Sequence, residues 1–125
     1  MDHALDPSII ADYHAHIYYD PARTREEAAR LREAIARAFP NALLGRWHDV
    51  PVGPHPIAMY QVIFPVADFP RFVPWLMLNR GSLAALVHPN TDDEYEDHAH
   101  HALWLGEKLP LVLGVLKRKG AASES

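Results

Sequence analysis

His14 and His16 stand two residues apart in Tyr13-His14-Ala15-His16-Ile17-Tyr18-Tyr19. The stretch is aromatic and β-branched, and Asp20 and Pro21 follow as turn formers, so it reads as a β-strand over 12–19. Side chains on a strand alternate between faces. His14, His16 and Tyr18 therefore share one face, and Tyr13, Ala15 and Ile17 the other. Two imidazoles at i and i+2 can converge on one ion, because neutral imidazole ligates Zn, Fe, Cu and Ni. Taken alone, the same spacing also describes a strand with two polar residues facing solvent. What raises the metal reading is the rest of the chain, which holds nine histidines in 125 residues.

Composition narrows the chemistry. The length suits one domain over 1–125, with 1–10 and 118–125 expected to be loose. A formal charge of −4, with no basic block except the tail, argues against nucleic acid or an anionic membrane as partner. There is no cysteine, so there is no thiolate nucleophile and no disulfide framework, and any metal must sit on histidine and carboxylate. No signal-peptide pattern and no apolar run of about 18 residues is present, which predicts a cytoplasmic protein without a membrane span.

The elements that must position the histidines follow in order. Thr24 and Glu27 fit a capping box at the start of a helix over 24–39, with Ala28, Leu31, Ile35, Ala38 and Phe39 at helical spacing. A second strand is expected over 43–50, with Leu44, Arg46 and His48 on one face, then a proline-stiffened turn over 51–56. A third strand is expected over 57–64 and a second helix over 68–79, with Pro70 in its first turn and Pro74 as a source of a kink or an early end. A fourth strand over 83–88 is closed by Pro89-Asn90. Thr91 and Glu94 fit another capping box, opening a helix to about Ala102. Residues 111–117 are a candidate fifth strand, with a helix as the alternative.

The order β-α-β-β-α-β predicts an α+β, ferredoxin-like domain: a four-stranded antiparallel sheet in the order 4-1-3-2, both helices on one face, plus a C-terminal helix. With strands 1 and 3 taken as parallel neighbours, His14, His16, His48, His55 and His88 gather at one edge, and the last helix brings His98, His100 and His101 to it. His3 has no place in this scheme. The His14/His16 face would be left open with Arg46 and His48 beside it, inviting a second subunit and hence a homodimer. Glu94, His98 and His101 would lie on one helix face, although capping alone accounts for Glu94.

Five short stretches carry a family resemblance: Tyr13 to Tyr19, Gly53-Pro54-His55-Pro56, Met59-Tyr60-Gln61-Val62, Leu86-Val87-His88-Pro89-Asn90-Thr91, and Asp97-His98 running on to His101-Ala102-Leu103-Trp104-Leu105-Gly106. As an ordered set they resemble the DOPA 4,5-dioxygenase family of small extradiol dioxygenases. The resemblance implies a ferredoxin-like fold and a catechol substrate, L-DOPA or a relative, opened beside its diol with O2. Such chemistry needs a metal, usually Fe(II) with zinc or another divalent ion as alternatives, leaving room for the diol and O2. The candidate ligands are His14, His16, His55 and His88, and the candidate acid/base residues are His98 and His101. Arg46, whose fork suits a carboxylate, is a candidate substrate-binding residue together with His48 and Tyr60. The carboxylate ligand is the open point: a three-histidine site, or Glu94 reaching in, stands beside the two-His-one-carboxylate set. Another metal-dependent chemistry on the same histidines, or a non-catalytic dimeric module for a small aromatic acid, are the competing functions.

Overall fold

The first strand is paired along both sides. The structure, a computed structural model, describes residues 4–118. β1 (Asp12–Tyr18) lies between β3 (Met59–Phe64) and β4 (Ala85–Asn90); β2 (Leu43–Leu44) adds to β3, and β5 (Leu103–Leu105) to β4. The sheet order is β2-β3-β1-β4-β5, and every neighbouring pair is antiparallel. Helices α1 (Arg25–Ala38), α2 (Phe69–Asn79) and α3 (Glu94–Ala99) complete the frame.

Period-two alternation divides the sheet into two faces, as expected for β1. Ala15, Ile17, Tyr60, Val62, Phe64, Ala85 and Val87 pack with Ala28, Leu31 and Ile35 of α1 and Phe72, Val73 and Leu76 of α2 in the main core. The opposite face carries His14, His16 and Tyr18. Near Tyr18 it is apolar, with Met59, Leu86 and Leu109 buried and Trp104 and Leu111 packed against them.

Several expectations change. β1 and β3 are antiparallel, not parallel: Tyr13 pairs with Phe64 and Tyr18 with Met59. The second strand shrinks to two residues, because the chain turns off the sheet after Gly45; only the His48–Met59 bridge continues the pairing. Trp47 consequently joins Leu44 against the main core, breaking the alternation predicted for 43–50. Pro89 and Asn90 lie inside β4 instead of closing it. β5 pairs only with Ala85 to Val87, so Pro89's missing N–H falls where β4 has β1 as its one neighbour. Leu103–Leu105 form β5, where no strand is expected from the sequence, whereas 111–117 hold only the 3-10 turn Leu113–Val115.

Both capping boxes give way to other partners, local or distant. Thr24 Oγ1 accepts from the Asp20 N–H at 2.8 Å, and the Glu27 carboxylate accepts from the Ser82 N–H at 2.8 Å and its hydroxyl at 2.7 Å. Gly81, at φ 60, brings Ser82 to Glu27; a Cβ there would collide with the Glu27 carboxylate. At α3 the cap is Asp93, which accepts from the Glu96 N–H at 3.0 Å. Ahead of β1, Asp6 caps the 3-10 turn Pro7–Ile9, and the Ala11 N–H donates to Asn90 O. Arg118 is also placed, over the Tyr95 ring; His3 and the tail from 119 lie outside the described residues.

The His14/His16 face is not open. The loop carrying Pro54 and His55, helix α3, and the segment 109–116 lie across it, the last tied by the Val112 N–H to Pro54 O at 2.8 Å. That removes the premise on which a second subunit was placed there.

Candidate metal centre

Four separate pieces of chain bring imidazoles to one place. β1 supplies His14 and His16 from the same face. β4 supplies His88, which stands opposite His14 in the register. Beyond these, His55 folds in from the loop before β3, and His98 projects from α3. Ring centroids lie 4.1 Å apart for His16 and His55, 4.0 Å for His88 and His98, 5.0 Å for His14 and His88, and 5.1 Å for His16 and His88. The rings border a cavity of about 220 Å³, shared with Gln61, Asn90, Glu94, Asp97 and Leu116.

Hydrogen bonds fix how the rings are presented. His88 Nδ1 lies 2.8 Å from Pro89 O, and His98 Nδ1 lies 2.8 Å from Glu94 O. A carbonyl oxygen only accepts, so Nδ1 carries the proton in both rings and Nε2 keeps a lone pair. His16 Nε2 stands 3.1 Å from His88 Nε2. His16 Nδ1 is buried and has no hydrogen-bond partner among the described residues. His55 Nδ1 lies 2.7 Å from the Tyr18 hydroxyl.

Burial decides the charge. It pushes His55 down to about 4 and His88 to about 3, and holds His16 well below the usual imidazole range, with the neighbouring rings adding to each shift. His14 is lowered by the same cause, partly offset by Asp12, whose Oδ1 lies 3.4 Å from His14 Nε2. His14, His16, His55 and His88 are thus neutral at pH 7, the form that ligates a cation.

Two overlapping sets are close enough to share one ion: His14, His16 and His88, and His16, His55 and His98. The fit to a metal rests on the donors themselves. Two nitrogens 3.1 Å apart match adjacent ligands on one ion with bonds of about 2.1 Å. Both sets are all-histidine. Among the described residues the carboxylate paired with a ring of these sets is Asp12, whose Oδ1 lies 3.4 Å from His14 Nε2 and could orient that imidazole.

Of the residues singled out from sequence, His14, His16, His55, His88 and His98 come together here. His101 does not. α3 ends at Ala99, so the i+7 relation to Glu94 lapses, and His101 turns toward the Asp97 carboxylate at 3.5 Å. Arg46 is exposed and does not border the cavity. His48 does not border it either, though its charge bears on His55. Tyr60 lies on the helix side of the sheet, with its hydroxyl donating to Ala28 O at 2.8 Å and Arg32 over its ring. Glu94 does border the cavity. Missed altogether were Gln61, Asn90 and the role of Asp97, which is buried and accepts from the Thr91 N–H at 2.8 Å and its hydroxyl at 2.7 Å. Parity could have found Gln61, which pairs with His16 in the register.

An antiparallel sheet with a cluster of imidazoles on one face defines a protein that could hold a metal ion in a small cavity. The model of the Dopa 4,5-dioxygenase family matches residues 13–115, and the chain belongs to that family. It is 43% identical over 124 residues to an uncharacterized 21.2 kDa protein of Botryotinia fuckeliana, covering 91% of this chain and 68% of that one. It is 37% identical over 119 residues to the DOPA 4,5-dioxygenase of Amanita muscaria, covering 90% of this chain and 52% of the relative, so it spans about half that protein's length. A crystal structure of a candidate dioxygenase from Nostoc punctiforme superposes with a TM-score of 0.86 at 50% identity, covering 90% of this chain and 96% of that one. Among the described residues no helix is long and apolar enough to cross a membrane.

Proposed function

We propose that the protein is a metal-dependent extradiol dioxygenase acting on L-DOPA or a related catechol. One observation carries the reading: in a chain of this family, His16 and His88 present ring nitrogens 3.1 Å apart inside a buried, neutral imidazole cluster. The sheet order β4-β1-β3-β2, with α1 and α2 on one face, supports a ferredoxin-like frame for the site. His14, His16 and His88 are the ligand set, since all three stand on two adjacent strands of the rigid sheet. Iron(II) held there would supply neighbouring positions for the two diol oxygens and for O2. The bond broken is the ring C–C bond beside the diol, and both atoms of O2 enter the product as an aldehyde and a carboxylate.

The chain's own groups do the rest. His98 Nε2 carries a lone pair, so it can take a proton from the diol and return it as the ring opens. Gln61 and Asn90 offer amide donors and acceptors at the cavity wall. A cavity of about 220 Å³ suits a single ring, being smaller than the ~300 Å³ at which drug-sized sites begin. Leu116 and Pro54 help to exclude water.

The test is anaerobic reconstitution with Fe(II), followed by oxygen uptake and absorbance with L-DOPA and simple catechols. Stoichiometric oxygen consumption with a new yellow product, lost in His16→Ala, is the expected result. Bound metal with no oxygen uptake on any catechol would overturn it.

A further inference from the structure

The imidazoles of the cavity do not all present the same kind of nitrogen. His88 and His98 each face a carbonyl oxygen with Nδ1, so each turns a lone pair inward. His55 differs: its Nδ1 faces a phenol, not a carbonyl. The Tyr18 hydroxyl lies 2.7 Å away and has His55 as its one hydrogen-bond partner among the described residues. Tyr18 is 2% exposed, with its ring stacked on Trp104 at 5.7 Å, so its proton cannot turn to bulk water. A neutral phenol carries one proton, and leaving it unpaired in a buried site costs about 1–3 kcal/mol. The proton therefore goes to the one acceptor within reach, His55 Nδ1. The reverse arrangement, with Nδ1–H donating to the phenol oxygen, would strand that hydroxyl proton.

We propose that Tyr18 is a positioning residue that fixes His55 as the Nε2–H tautomer, so that His55 presents a hydrogen-bond donor to the cavity and not a ligand lone pair. For its chemistry this rests on the dioxygenase reading. The donor would face an anionic oxygen of a bound diol, opposite the accepting Nε2 of His98, and the rings would divide into His14, His16 and His88 for the ion and His55 and His98 for the substrate. It also decides between the two overlapping sets, because a ring with its proton on Nε2 cannot ligate through that atom.

Long-range proton–nitrogen NMR of protein labelled at histidine nitrogen reads each tautomer directly, with the His55 signals identified by their loss in His55→Gln. In the metal-free full chain, His55 is expected as Nε2–H, and His88 and His98 as Nδ1–H. Tyr18→Phe, which keeps the ring packing, should turn His55 into a mixture of both forms while leaving His88 and His98 unchanged. On adding Zn(II), His14, His16 and His88 should shift, and His55 should keep its Nε2 proton. An Nδ1–H form of His55 in the wild type, a pattern unmoved by Tyr18→Phe, or loss of the Nε2 proton to zinc would each overturn the assignment. A cluster that zinc leaves untouched would count against the dioxygenase reading alone, since the metal-free spectra judge the role of Tyr18.

Discussion

Replacing Asp97 with alanine should loosen the join between β4 and α3 and carry His98 out of place. The carboxylate is 2% exposed and takes two hydrogen bonds from Thr91, one from its N–H at 2.8 Å and one from its hydroxyl at 2.7 Å. Hydrogen bonds to a charged group contribute about 1.5–3 kcal/mol each. Thr91 is only half-buried, so water replaces part of what is lost and the low end of the range applies, giving about 3 kcal/mol for the pair. For a chain of this size that corresponds to a fall in Tm of about 10 °C. Urea unfolding of the metal-free protein should show a lower midpoint at unchanged slope. Thr91→Ala removes the hydroxyl bond and keeps the backbone one, so it should cost about half as much. Combined with Asp97→Ala, it should add almost nothing, because the two residues share the interaction. Metal affinity should fall about 10–100-fold, as when a ligand or base loses its support. An Asp97→Ala protein within about 0.5 kcal/mol of wild type, or fully additive effects in the double variant, would refute the anchor.

Three further outcomes follow from the site. Unfolded histidines titrate near 6.5, whereas His55 stays neutral down to about 4 and His88 to about 3. Between these values the unfolded chain binds more protons, so metal-free stability should be level above pH 6.5 and decline as pH falls from 6.5 through 4 toward 3. A urea midpoint that stays flat from pH 7 to 4 would contradict the buried neutral rings. Zn(II) at a hundred times its Kd should stabilise the protein by about 2.7 kcal/mol in a thermal-shift assay; His16→Ala and His88→Ala should abolish the effect and His101→Ala should keep it. Tyr60→Phe should cost about 1 kcal/mol by freeing Ala28 O and leave metal affinity unchanged; weakened metal binding would instead place Tyr60 in the site.

The site was legible where strand parity governs it. His14 and His16 share a face because a seven-residue strand leaves no other choice, and His88 joins them through the pairing of β1 with β4. The order of the first four strands was also legible; their directions were not, because parallel and antiparallel partners show the same alternation. Helix phase failed for His101, since a six-residue helix ends before i+7 is reached. The capping boxes failed for a different reason. Thr24, Glu27 and Thr91 satisfy groups distant in the fold or in the adjoining turn, which local spacing cannot weigh. Tyr60 meets the same limit: from sequence its hydroxyl suits substrate or carbonyl equally well, until the helix above it is placed and Ala28 O takes the bond.

What covers the second sheet face explains how this cluster can exist at all. Along β1 that face runs Tyr18, His16, His14, and along β4 Leu86, His88, so it grades from apolar to imidazole. The segment 109–116 follows the same gradient. Leu109 is buried with Tyr18, Met59 and Leu86, Leu111 packs beside them, and Leu116 borders the cavity. One strip of chain therefore closes both the small apolar core and the imidazole cavity. On an open face the histidines would be hydrated and would charge near 6.5; beneath this cover, desolvation keeps them neutral. Anchoring of the strip at Leu109 and the neutrality of His16 and His88 are thus a single property. Loosening Leu109 would weaken the site without touching any imidazole, by letting water, and with it protons, reach the rings.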